Sequence, residues 1–162
     1  MRSNEPDPLD PDDAAAGIHA APPRDDQCLR ILLLCNYDIM NAATVCDHVN
    51  SFVRYSKHNV TVLSRIGQLP DGIDLATFDV IVVHYSLTLA LESYVPEQTK
   101  HKLAAFSGLK ILFIQDEYRF VDQTCEALRR CKFRLVFTVL PEDLIPKIYK
   151  PKDVPEIRFV PT

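Results

Sequence analysis

The sequence predicts an open, doubly wound α/β domain: a parallel sheet of five to six strands with helices on both faces, a single domain over residues 28–162. Three observations carry that expectation. Short, continuous apolar runs recur along the chain, segments with helical spacing separate them, and turn-forming residues mark the joins. Continuous rather than alternating runs belong to strands covered on both faces. Strands joined through helices come back parallel, because each right-handed crossover returns the chain to the same end of the sheet.

The elements follow in order. Residues 29–35 (LRILLLC) form the first apolar run. Over residues 41–55, Val45, Val49, Phe52 and Val53 recur at helical spacing, with Asn41 placed to cap the first turn. Residues 59–63 (NVTVL) are rich in β-branched side chains and predict a second strand. Gly67, Pro70, Asp71 and Gly72 then signal a loop. Residues 80–84 (VIVVH) predict a third strand, and residues 87–106 a largely helical stretch broken near Pro96. A fourth strand is expected at 110–114, an amphipathic helix at 121–131 and a fifth strand at 135–139. A short helix at 142–149 and a sixth strand at 157–160 complete the pattern, which is Rossmann-like.

The first 27 residues stand apart. Residues 1–28 hold seven acidic side chains against Arg2 and Arg24, a balance of −5, and five of the twelve prolines. The whole chain carries −4, so residues 29–162 carry +1. So acidic and proline-rich a segment buries too little apolar surface to offset its ordering entropy, and a disordered tail is expected over residues 1–27. It lacks the basic start and apolar stretch of a signal peptide. No apolar run is long enough to cross a bilayer, and no basic footprint points to nucleic acid. A soluble, cytoplasmic protein is expected. Cys28, Cys35, Cys46, Cys125 and Cys131 are odd in number and form no CxxC pair. Cys46 and His48 have no second ligand pair, so the thiols read as packing groups and no metal is expected.

Ligands of such sheets bind beyond the carboxyl ends of the strands. Those ends carry Asn36, Tyr37 and Asp38, then His84, Tyr85 and Ser86, then Gln115, Asp116, Glu117, Tyr118 and Arg119, then Pro141, Glu142 and Asp143. Strand-end loops are polar in any case, and Asp116 or Glu117 pairing with Arg119 is the simpler account of those charges. Taken together, the residues read better as one binding rim, with Asn36, Tyr37, Asp38, Asn41, Thr44, His84, Tyr85, Gln115, Arg119 and Glu142 as ligand contacts. His48, Asp116 and Glu117 are the candidates for catalysis. Asn41, Thr44 and His48 share one side of the first helix, and His48 reads either as a core-edge histidine bonded to a neighbour or as a catalytic base. Three chemistries are excluded. The turn after the first strand (residues 36–44) holds no glycine for a pyrophosphate, the third strand lacks a receiver aspartate at its end, and no P-loop is present.

The stretches RILLLCNYDIMNAATVCDHVNSF, FDVIVVHYS, GLKILFIQDEYRFVDQTC and LVFTVLPEDLIPKIY together resemble the N-terminal half of bacterial glycosyltransferase-like proteins of the GT-B type. The resemblance spans residues 29–162, and its most specific parts are NAATVCDH and IQDEYR. It implies an acceptor-side Rossmann-like domain facing a second, donor-binding domain across a cleft. Asn36, Asp38, Asn41, Thr44, His48, His84, Tyr85, Gln115, Asp116, Glu117 and Arg119 would then face that cleft. The implied partners are a sugar acceptor, and a nucleotide sugar held by a second domain or chain, with no metal and no cofactor. No donor half follows in this sequence, so the chain alone is expected to be catalytically incompetent. A non-enzymatic Rossmann-like domain binding a ligand, a partner protein or a second copy of itself is the alternative, and a degenerate receiver-like domain a third.

Overall fold

Leu32, Leu33 and Cys35 are wholly buried and Leu34 nearly so, because the strand that carries them lies inside a six-stranded sheet. The computed structural model describes residues 28–38, 40 and 42–162; the expected tail over residues 1–27 lies outside them. The strands are β1 (Arg30–Cys35), β2 (Asn59–Ser64), β3 (Val80–Val83), β4 (Leu109–Ile114), β5 (Leu135–Thr138) and β6 (Arg158–Pro161). The helices are α1 (Ala43–Tyr55), α2 (Glu97–Ala105), α3 (Val121–Arg130) and the short α4 (Ile145–Ile148). All five strand pairings are parallel, in the order β2-β1-β3-β4-β5-β6. The chain leaves β1 in one direction and returns on its other side as β3, so the sheet's switch point lies between those two strands.

Alternation along the strands divides the core into two layers. Leu32, Leu34, Ile81, Val83, Leu112 and Val136 pack with Leu103 of α2 and Leu128 of α3. Leu33, Cys35, Val80 and Val82 pack on the opposite face with Val49 of α1. Helices on both faces of a parallel sheet are what the apolar runs require.

Two local expectations change. The helix before Pro96 does not form: residues 87–95 make separate turns, in which Leu91 N–H donates to the Thr88 carbonyl and Val95 N–H to that of Leu91. Their leucines are apolar because Leu87 and Leu89 enter the core from a loop. The predicted helix over 142–149 shrinks to Ile145–Ile148, since Pro146 has no N–H and is tolerated only in a first turn. Ala42, whose side chain cannot cap, holds the N-cap of α1, and Asn41 lies outside the described residues.

Gly108 marks a close approach of backbone to backbone. A Cβ there would lie 2.5 Å from the Asp79 carbonyl oxygen and closer still to the Phe106 ring. Gly108→Ala is therefore expected to lower stability by about 1–3 kcal/mol, as overpacking does. Chemical denaturation checks it.

Candidate functional site

The residues after β1, β3 and β4 converge at the carboxyl rim of the sheet. His84 follows directly from β3 and is fully buried. Its Nδ1 lies 2.8 Å from Ser86 Oγ and accepts from the Ser86 backbone N–H at 3.0 Å. On the other side of the ring, Nε2 is 3.0 Å from Nδ1 of His48 on α1. Ser86 Oγ accepts in turn from the Asn36 N–H at 2.8 Å. A hydrogen-bonded line thus runs from the end of β1 through Ser86 and His84 to α1, across the switch point.

An aromatic cage surrounds that line. The His48 ring stacks on Tyr85 at 5.5 Å between centroids and meets Phe52 and Phe113 edge-on at 5.2 and 5.0 Å. Tyr85 lies 3.9 Å from the His84 ring, and its hydroxyl donates to the Thr44 carbonyl at 3.0 Å, tying the first turn of α1 to the β3 loop. Burial holds both histidines below the usual imidazole range, and His84, with His48 beside it, is brought down to about 4. Both are neutral near pH 7.

Tyr85 also lines a cavity of about 360 Å³ between the β3 and β4 loops, together with Leu87, Leu112, Gln115, Asp116 and Arg119. That volume falls within the range of small-molecule sites. Gln115, Asp116 and Arg119 are exposed on its wall, and among the described residues no ion pair joins Arg119 to Asp116 or Glu117. The Arg119 guanidinium instead lies over the Phe120 ring, 5.1 Å from its centroid. Asp116 and Phe120 both adopt left-handed backbone, at φ 58° and 56°. For non-glycine residues that conformation is costly and persists only where neighbours enforce it.

Glu117 sits in the loop between Asp116 and Phe120, and here the structure departs from the expected role. The side chain does not face the crevice. It is 4% exposed and turns down beside β5, where Thr138 Oγ and Tyr149 Oη donate to Oε1 and Val139 N–H donates to Oε2. Burial raises its pKa, and these three hydrogen bonds work against the rise. Glu117 is thereby removed from the catalytic candidates as the loop's inward anchor, while Asp116 and Arg119 on either side are displayed outward.

The other candidates divide in the same way. Asn36 is half-buried in the hydrogen-bonded line. Tyr37 exchanges backbone hydrogen bonds with Ser64 Oγ, at 2.9 Å from its N–H and 2.8 Å to its carbonyl. Asp38 is exposed and accepts from the Met40 N–H at 2.8 Å, closing its own turn. Thr44 contributes its carbonyl. Glu142 belongs to a different cleft, beside Ile145, Tyr149 and Pro151 at the β6 edge. Ser86 is the residue that sequence reasoning undervalued; its one signal was its place two residues after His84, where a tight turn returns the hydroxyl to the ring.

Among the described residues no group of three or more His, Cys, Asp or Glu side chains is arranged to hold a metal ion, and no helix is long and apolar enough to cross a membrane. No family model, no curated protein and no solved structure matches this chain, so the site's chemistry is read from its own atoms.

Proposed function

We propose that the carboxyl rim of β1, β3 and β4 binds a sugar, as the acceptor-side domain of a GT-B-like glycosyltransferase does. One observation carries the reading: Tyr85 joins the buried histidine line at the switch point to the cavity walled by Gln115, Asp116 and Arg119. Sugars are bound by aromatic faces together with fixed donors and acceptors. The rim offers the Tyr85 ring, the Gln115 amide, the Asp116 carboxylate and the Arg119 guanidinium at one opening. Transfer itself requires a nucleotide sugar, which in that architecture a second domain or chain supplies.

Arg119→Ala tests the assignment. Among the described residues the side chain makes no ion pair, and it lies over the Phe120 ring, so the change is expected to lower stability by less than about 1 kcal/mol. Binding of neutral or acidic mono- and disaccharides, followed by calorimetry, is expected to weaken about tenfold or more, the scale of a lost charge-assisted hydrogen bond. A variant that unfolds early, or that binds every saccharide as the parent does, contradicts it.

A further inference from the structure

The hydrogen bonds around His84 decide where the protons of both histidines sit. A backbone N–H can only donate, and that of Ser86 points at His84 Nδ1 from 3.0 Å. A proton on Nδ1 would face it head-on, so this nitrogen is an acceptor and His84 carries its proton on Nε2. The Ser86 hydroxyl, which accepts from the Asn36 N–H, has its own proton free to point at the same Nδ1 from 2.8 Å. His84 Nε2–H then donates to His48 Nδ1 across 3.0 Å. With its Nδ1 lone pair occupied, neutral His48 keeps its proton on Nε2, which has no hydrogen-bond partner among the described residues.

We propose that the Ser86 amide, acting through His84, fixes half-buried His48 as an Nε2–H donor, so that a ligand reaching this ring beside the switch point must offer an oxygen that accepts a hydrogen bond. This deepens the sugar-binding reading and rests on it only for the ligand's class, a hydroxyl or ring oxygen of a sugar. His48 is then no general base in the resting state. Its one free ring position already carries a proton, and reversing the line would drive a proton on His84 Nδ1 against the Ser86 amide. His84 is a positioning residue for the His48 ring.

The proton positions are measurable in the free protein, by long-range ¹H–¹⁵N correlation of the ring nitrogens near pH 7.5. The expected result is a slowly exchanging proton bonded to His84 Nε2, with a coupling across the hydrogen bond to His48 Nδ1 and a second proton on His48 Nε2. In His84→Leu, provided that it folds, His48 is expected to lose the coupling and to show both neutral tautomers. In Ser86→Ala, which keeps the backbone amide, the pattern should persist. A proton on His48 Nδ1 in the wild type, or no coupling between the rings, overturns the proposal. Failure of every saccharide to bind would overturn the sugar-binding reading instead and leave the proton assignment standing.

Discussion

Glu117→Ala is expected to lower stability by about 3–5 kcal/mol. The substitution strips partners from the Thr138 hydroxyl, the Tyr149 hydroxyl and the Val139 N–H at once. A buried polar group left unpaired costs about 1–3 kcal/mol, and hydrogen bonds to a charged group lie at the high end. The site should suffer as well. The anchor lies in the loop between Asp116 and Phe120, both in left-handed backbone, so without it Asp116 and Arg119 are expected to lose their fixed positions. Glu117→Gln keeps the shape and one acceptor oxygen but turns an NH₂ group toward the Val139 N–H, and is expected to cost roughly half as much. Equilibrium denaturation of both variants checks the order. A near-neutral Glu117→Ala would mean that the buried carboxylate does not anchor the loop.

Acid is expected to weaken the domain by about 3 kcal/mol through His84 alone. In the folded state its pKa is brought down from 6.5 to about 4, and each pKa unit corresponds to about 1.4 kcal/mol. A depressed folded pKa contributes stability that is fully present above pH 6.5 and is lost as pH falls through about 4. His48 shifts in the same direction, also by burial. Glu117 acts oppositely: its raised pKa contributes stability at low pH that is lost as pH rises through the folded value. The histidine contribution is therefore read as the difference between wild type and His84→Gln. Wild type should lose more stability than the variant between pH 7 and pH 4. Parallel pH profiles would mean that His84 is not held neutral by the fold.

The sheet was legible because β1 and β3 are continuous apolar runs, as strands covered on both faces are, and β2 is rich in β-branched residues. Helices α1 and α3 were legible from their apolar spacing. Residues 87–95 misled because buried leucines in a loop look like helix, and only the core that they enter distinguishes the two. The candidate site was half legible. His84, Tyr85, Gln115, Asp116 and Arg119 stand where strand ends were expected to place them. The role of Glu117 was hidden, since its partners Thr138 and Tyr149 lie 21 and 32 residues away. Residues 115–119 all read as a polar loop after β4, yet β5 and Tyr149 draw the middle one, Glu117, inward.

Backbone ¹H–¹⁵N shifts of the full chain, mapped during titration with mono- and disaccharides, test whether the rim of β1, β3 and β4 binds a sugar. Saturable shifts are expected at residues 84–89, at residues 115–120 and along the first turns of α1, all reduced in Arg119→Ala. No saturable shift with any saccharide, or shifts confined to the cleft beside α4 and β6, would contradict it.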